Sequence, residues 1–186
     1  MRGLIVQSVV AGGGPPGRAN RRRTNEMENL MMLSHLRAHN RAIEKGVKAI
    51  EGYVGRISSG AALDENGRCR IQYENVGVHI VVLPDHNLVI FKAFINFLPD
   101  PSTGKVLPLY YHLLDMSDEP QTGMAYFAIV AAEALEFEKD VISVETKRPI
   151  ADISFDEFQG CLQIVGEVAN QWIDRLEEEF GAPRVP

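Results

Sequence analysis

Apolar residues near the amino end of the chain recur at helical spacing. From Leu30 to Ile57 they follow one another at intervals of three, four or seven positions, as the buried stripe of a helix does. Thr24 and Asn25, which precede this stretch, are residue types that cap helices. The pattern therefore predicts a long first helix that begins near residue 25 and ends before Gly60.

A second amphipathic pattern lies near the carboxyl end. Ser154 and Glu157 have the spacing of a capping box, and Gly181 has the position of a helix C-cap. Between them one apolar stripe alternates intervals of four and three. Its members are Phe158, Leu162, Val165, Ala169, Trp172 and Leu176. We expect a long last helix with Trp172 in the core.

Between these two patterns the apolar runs are short and have the character of strands. They are separated by turn sequences such as 84–87 and 99–104. Strands are predicted at 71–74, 78–83, 88–98, 124–130 and 141–146, and the first of these is short enough to be optional. A short helix, Leu109–Met116, is expected after the third strand, and residues 133–140 fit a turn, a helix or a continued strand.

The strand at 88–98 has two different apolar faces. Its odd positions are expected to face the core, because side chains alternate across a strand. They are Val89, Phe91, Ala93, Ile95 and Phe97. On the even face, Leu88, Ile90 and Phe94 alternate with Lys92 and Asn96. Such surplus apolar surface marks an interface in a soluble protein unless a helix of the same chain covers it.

The predicted elements follow the order α-β-β-(β)-α-β-β-α. Hairpins outnumber crossovers, so we expect an α+β fold, an antiparallel sheet with its helices on one face. One domain should span residues 25–182, with 183–186 as a tail. Residues 1–24 contain five arginines, no acid and a Gly/Pro run at 12–17, which predicts a disordered basic extension.

The formal net charge of −6 is unevenly distributed. Residues 1–24 contribute +5, so the remainder carries 14 basic and 25 acidic side chains, or −11. An acidic body argues against nucleic acid as the main partner. No apolar run approaches the ~20 residues of a membrane span. Cys69 and Cys161 form no spaced motif, which fits a reduced, cytoplasmic location.

No group of residues has the spacing of an active site. His35 and His39 lie one helical turn apart, but they lack the HExxH pattern and a third ligand. Cys161 lies beside the apolar stripe of the last helix, where a packed, inert thiol is the simpler interpretation. We therefore expect no enzyme activity, no metal and no cofactor.

A further surplus of apolar residues surrounds the short helix and the strand that follows it. We predict a homodimer interface there, with Tyr110, Leu113, Leu114 and Tyr126 as contacts. Isologous pairing is the commonest way for a small protein to cover such a patch, and aromatic residues are enriched at interface centres.

The order of elements and four local segments resemble the type III secretion chaperone-like fold, shared with the YbjN-type family of small bacterial proteins. The resemblance covers roughly residues 78–180. The segments are LVIFKAFINFLP (Leu88–Pro99), Leu113-Leu114, Thr122–Phe127 and VISVETKRPIADISFDEF (Val141–Phe158). The sequence departs from the family in a longer first helix and in Asp115-Met116, where an asparagine is usual.

The resemblance implies a chaperone-like, non-enzymatic, cytosolic homodimer that holds an extended segment of a client polypeptide. Leu88, Ile90 and Phe94 would then form the client-binding face. Two alternatives stay open. One is a small ligand-binding protein or enzyme with a pocket between sheet and helices, which a deep polar pocket would favour. The other is a regulatory protein whose Arg18–Arg23 cluster binds an anionic partner, which a steep salt dependence would favour.

Overall fold

The computed structural model describes residues 18–117, 122–134 and 137–186, with side chains from residue 31 onward. Three α-helices are described: α1 (Arg18–Ile57), α2 (Val106–Ser117) and α3 (Phe155–Phe180). The five strands are β1 (Arg68–Tyr73), β2 (Val76–Leu83), β3 (Leu88–Phe97), β4 (Tyr126–Val130) and β5 (Val141–Pro149). The chain order is α1-β1-β2-β3-α2-β4-β5-α3, so the predicted α+β fold class and its order of elements are confirmed.

The first helix starts earlier than the sequence pattern predicts. Residues 1–17 of the predicted extension lie outside the described residues, and so do the side chains of the Arg18–Arg23 cluster. The helix begins at Arg18, so residues 18–24 are helical, whereas we predicted them to be irregular. Arginine and alanine have good helix propensity, and the capping pattern at Asn25 lies within the helix and not at its start.

Only the second half of the apolar stripe in α1 contributes to the core. The chain divides into two units after Asn40. In the first unit every described side chain, from Met31 to Asn40, is exposed. In the second unit Ile50 and Val54 are fully buried. The helical spacing of apolar residues therefore corresponds to burial only in the part of the helix that belongs to the second unit.

The strands form one antiparallel sheet in the order β1-β2-β3-β5-β4. Residues of all three helices, in α1 those after Asn40, share a single hydrophobic core on one face of this sheet. Phe91 of β3 packs edge-on against Phe158 of α3 at 4.9 Å, and Tyr53 of α1 lies 5.6 Å from the same ring. The single core confirms the predicted one-sided arrangement of helices.

The last helix forms as its local sequence predicts. Ser154 accepts a hydrogen bond from the Glu157 backbone N–H, the Glu157 carboxylate accepts one from the Ser154 backbone, and Gly181 ends the helix with φ of 68°. Trp172 is 2% exposed and its ring lies 5.9 Å from that of Phe127 on β4. The prediction that Trp172 belongs to the core is confirmed.

A β-bulge near the end of β3 reverses the predicted alternation of faces. The register with β5 shifts between Phe94 and Asn96, and an extra residue of this kind exchanges the two sides of a strand. Asn96 is therefore fully buried on the helix side, where its Nδ2 donates to the carbonyls of Ala182 at 2.8 Å and Ile173 at 3.1 Å. Phe97, predicted to face the core, lies on the opposite side with Phe137, at 5.6 Å between rings.

The last four residues are attached to the sheet. The Phe97 N–H donates to the Pro183 carbonyl at 2.6 Å, and the Val185 N–H donates to the Ile95 carbonyl at 2.9 Å. Arg184 makes ion pairs with Asp174 at 2.9 Å and Glu177 at 2.7 Å. Residues 183–186, predicted as a tail outside the domain, therefore continue the hydrogen bonding along β3 beyond its last pair with β2, Val78 with Ala93.

Replacing Trp172 with alanine should lower the free energy of unfolding by about 3–5 kcal/mol, because removal of the indole leaves a cavity between α3, α2 and β4. Urea denaturation followed by far-UV circular dichroism measures this change. Gln171→Ala, at the exposed neighbouring position, is the matched control and should change stability by less than about 0.5 kcal/mol. A loss below about 1 kcal/mol for Trp172→Ala would contradict the assignment.

Candidate functional site

One face of the sheet carries no α-helix within the described part of the chain, and we call it the open face. Alternation along the strands places the following side chains there: Arg68, Arg70, His79, Val81, Leu83, Leu88, Ile90, Lys92, Phe94, Tyr126, Ala128, Ser143, Glu145 and Lys147. Apolar members of this set are half-buried by their neighbours. The face is therefore neither a second core nor an ordinary solvated surface.

A polar row crosses the open face with one residue from each strand. The register aligns Arg70 with His79, His79 with Lys92, and Lys92 with Glu145. Glu145 is in turn aligned with Tyr126 of the edge strand β4. Directly opposed residues in antiparallel strands have Cβ atoms about 5 Å apart, so each member of the row can contact the next.

Glu145 is the buried charge of this row, with a side chain only 5% exposed. Its Oε1 lies 2.8 Å from the Nζ of Lys92 and accepts a hydrogen bond from Ser143 Oγ at 2.8 Å. Its Oε2 accepts from the Tyr126 hydroxyl at 3.4 Å, and Lys147 lies 4.0 Å away. A buried carboxylate is tolerated when it is paired and hydrogen-bonded in this way.

The two arginines of β1 in this region have no such carboxylate partner. Neither Arg68 nor Arg70 makes an ion pair with any residue that the structure describes, and both are exposed. The guanidinium of Arg70 lies across Gly77 of β2, in space that a Cβ atom at position 77 would fill. Between Arg70 and Lys92, the His79 ring stacks on Phe94 at 5.1 Å. Burial, and then the charges of Arg70 and Lys92, lower the pKa of His79.

These residues surround a groove of about 600 Å³, which we call the open-face groove. Its apolar floor consists of Val81, Leu83, Ile90, Phe94 and Phe137, with Arg68, Arg70, His79 and Lys92 beside it and Ala134, Val185 and Pro186 at its margin. Ile90 and Phe94 of the predicted client-binding face thus line the groove. Leu88 lies on the same face, where it pairs with Leu83 and Pro149, but it does not line the groove.

The second predicted surface forms a smaller apolar groove of about 300 Å³ between α2 and β4. It is lined by Tyr110, Leu113, Leu114, Phe127, Ala128 and Ile129, and we call it the α2–β4 groove. Leu114 is 70% exposed at its rim, whereas Leu113 is 5% exposed and forms its floor. Three of the four predicted interface residues, Tyr110, Leu113 and Leu114, therefore line the same groove.

Tyr126, the fourth predicted interface residue, lies elsewhere. Its hydroxyl bonds to Glu145 on the open face, while Phe127, the next residue, packs on Trp172 in the core. Strand alternation thus places Tyr126 on the opposite side of β4 from α2, and the expectation that it joins Leu114 is not met. Leu107, Tyr111 and Ile129 are also exposed, but they were not among the four predicted interface contacts. For α2, helical spacing around the buried Leu109 and Leu113 could have identified them.

A third groove tests the alternative of a pocket between sheet and helices. It has a volume of about 560 Å³ and lies between β1 and the ends of α1 and α3. Its described lining includes Arg56, Gln72, Gln159 and Gln163 but no carboxylate, imidazole or thiol. Those are the groups that most often perform acid–base or nucleophilic chemistry.

The two thiols and the histidines are also poorly placed for catalysis or metal binding. Burial raises the pKa of Cys69 to about 11 and raises the pKa of Cys161, so both thiols stay protonated near neutral pH and are weak nucleophiles. Among the residues that the structure describes, no three potential metal ligands come together. No described helix has the length and apolar character to cross a membrane.

The order of elements and the one-sided packing of helices define the type III secretion chaperone-like fold. Residues 48–140, half of the chain, match the sequence model of the Tir chaperone protein (CesT) family. The chain belongs to this family, which confirms the resemblance noted in its sequence. No curated protein sequence matches the chain.

Solved structures with a similar fold include YbjN from E. coli, with a TM-score of 0.51 and 12% identity over 75% of this chain and 95% of that one. The heterodimeric ExoU–SpcU complex of the Pseudomonas aeruginosa type III secretion system gives 0.48 and 14% identity over 67% and 95%. The Yersinia pestis type III secretion chaperone SycH, in complex with a fragment of YscM2, gives 0.45 and 14% over 72% and 98%.

Removing the ammonium group nearest to Glu145 should destabilise the fold. Lys92→Met keeps most of the side-chain volume but leaves a buried carboxylate without its close cation, so we expect a loss of about 3 kcal/mol in unfolding free energy. Lys147→Met is the matched control, because this lysine lies farther from the same carboxylate and is more exposed. It should cost less than about 1 kcal/mol.

The double variant Lys92→Met with Glu145→Met removes both charges of the pair. It should recover most of the stability lost in Lys92→Met, because no buried charge remains. Equal losses for the two lysine variants in urea denaturation would show that the 2.8 Å contact contributes nothing specific.

Proposed function

We propose that this protein is a non-enzymatic, chaperone-like binding module that holds an extended segment of a partner polypeptide on its open face. The observation that carries the proposal is a five-stranded sheet with helices on one face and a half-buried apolar groove on the other. Membership of a family described as chaperones of the protein Tir supports a polypeptide as the class of partner.

The dimensions of the open face suit an extended chain. Neighbouring strands are about 4.8 Å apart, so five strands make a floor on the order of 20 Å wide, which about six extended residues can cross. Ile90 and Phe94 can take up apolar side chains of such a segment. The polar row prevents this floor from being uniformly apolar, which favours a bound segment with both apolar and polar side chains.

We also propose that the protein forms a homodimer through the α2–β4 groove. Leu107, Tyr111 and Leu114 on α2 are each more than 60% exposed, and Ile129 on β4 is 40% exposed. Leu114 and Ile129 line the groove between α2 and β4, and Leu107 and Tyr111 lie on the same side of α2 as Leu114 because they precede it at helical spacing. A second copy of the same surface would cover it in an isologous interface.

A photo-crosslinking residue at position 90 should capture a partner polypeptide in the native cell. Replacing Ile90 with p-benzoylphenylalanine places the reactive ketone on the floor of the open-face groove. The same replacement at Gln171, exposed on α3, is the control and should give no adduct of the same mass. Denaturing gels and mass spectrometry identify the adducts. Identical adducts at both positions, or none at position 90, would argue against client binding on this face.

Leu114→Arg should convert the dimer into a folded monomer. The side chain is 70% exposed in the single chain, so the charge disturbs an interface without entering the core. Light scattering at micromolar concentration gives the mass, and circular dichroism gives the helical content. Leu113→Ala is the contrasting variant, since this buried neighbour should instead cost about 2–5 kcal/mol of stability.

Two results would overturn the dimer assignment. A wild-type protein that scatters as a monomer would remove the need for an interface. Unfolding of Leu114→Arg would show that Leu114 supports the core.

A further inference from the structure

The open-face groove is more basic than the rest of the protein. Four basic side chains line it, Arg68, Arg70, His79 and Lys92, and no acidic side chain is among its lining residues. Glu145, the acid closest to it along the polar row, is already paired with Lys92. The whole chain has a formal net charge of −6. The positive charge of this groove is therefore a local property, because the protein as a whole is acidic.

Arg68 and Arg70 have no evident task in holding the fold. Both are exposed on the edge strand β1 and lack an ion-pair partner among the described residues. The guanidinium of Arg70 lies over Gly77, close to the sheet and beside His79, which is its cross-strand neighbour. A planar guanidinium is suited to bidentate contact with a carboxylate.

The apolar floor and the two arginines have a defined separation. The register pairs Arg68 with Val81 and Val81 with Ile90, so Arg68 and Ile90 lie on strands two places apart. Two strand spacings amount to about 10 Å, which an extended chain covers in about three residues. A single extended segment can therefore place an apolar side chain on Ile90 and an acidic side chain at the arginines.

We propose that the open-face groove selects partner segments that carry aspartate or glutamate two to four positions from an aliphatic or aromatic anchor. The anchor packs on Ile90 and Phe94, and the carboxylate binds Arg68 and Arg70. This inference rests on the proposed function, because it specifies the chemistry of the polypeptide that the open face holds. Charge complementarity and the two-strand separation are the arguments for it.

Selection from a random peptide library tests the preference without knowledge of the natural partner. A phage-displayed library of peptides about twelve residues long, enough to cross the five strands, is selected on the immobilised full chain. We expect the recovered peptides to be enriched in acidic residues at the stated spacing from an apolar anchor. Synthetic versions of the recovered peptides then give dissociation constants by fluorescence anisotropy.

Charge reversal identifies the arginines as the determinant. The double variant Arg68→Glu/Arg70→Glu should bind the recovered peptides at least about tenfold more weakly. The double variant Lys45→Glu/Lys48→Glu makes the same change in net charge at exposed positions on α1 and should bind them as the wild type does. Circular dichroism and thermal melting confirm that both variants are folded.

The outcomes separate the inference from the proposed function. If no peptide is recovered above background, the proposed function and this inference both fail. If neutral or basic peptides are recovered, or if both double variants bind equally well, the acidic preference is wrong while polypeptide binding stands. Tighter binding of a single-stranded oligonucleotide of about twelve nucleotides than of any recovered peptide would also overturn it, and would assign the arginines to phosphate contacts.

Discussion

The constraint on which the rest of the structure depends is that, among the described residues, α-helices cover only one face of the sheet. Helices α1, α2 and α3 bury the side chains on that face, and the side chains on the other face, apolar ones included, stay accessible. A uniformly apolar open face would invite unspecific association. The polar row from Arg70 to Tyr126 interrupts the apolar surface of the open face. Its buried carboxylate, Glu145, is tolerated because it pairs with Lys92 at 2.8 Å.

The bulge in β3 links the covered face to the open one. By turning Asn96 inward, it fastens the sheet to the carbonyls of Ile173 and Ala182 at the end of α3. By turning Phe97 outward, it adds a ring to the aromatic group of Phe94 and Phe137. Separate backbone hydrogen bonds, from Phe97 to Pro183 and from Val185 to Ile95, hold the last residues along β3, so that Val185 reaches the margin of the open-face groove. The margin of this groove therefore depends on the segment that follows α3.

Sequence patterns predicted correctly those features of the fold that depend on residues close together in the chain. Neighbouring residues were enough to predict the order of elements. They were also enough to predict the last helix, with its capping box and its stripe through Trp172. The predicted alternation of faces along β3 is wrong after Phe94, because the inward-turned Asn96 at the bulge donates a hydrogen bond to Ala182, which lies 86 positions away. Tyr126 was misplaced because its side of β4 is set by pairing with Glu145. Leu113 and Leu114 line one groove, but only packing shows that Leu113 is buried and Leu114 is exposed.

Strand β4 lies between the two proposed binding surfaces and presents a different side to each. Tyr126 completes the polar row of the open face, and Ile129 lines the α2–β4 groove. Pairing through that groove would therefore leave the open-face groove, which is lined largely from β1, β2 and β3, free on each copy. A partner with two suitable segments could then occupy both copies. The second contact would be intramolecular, and binding would be tighter than either site alone provides.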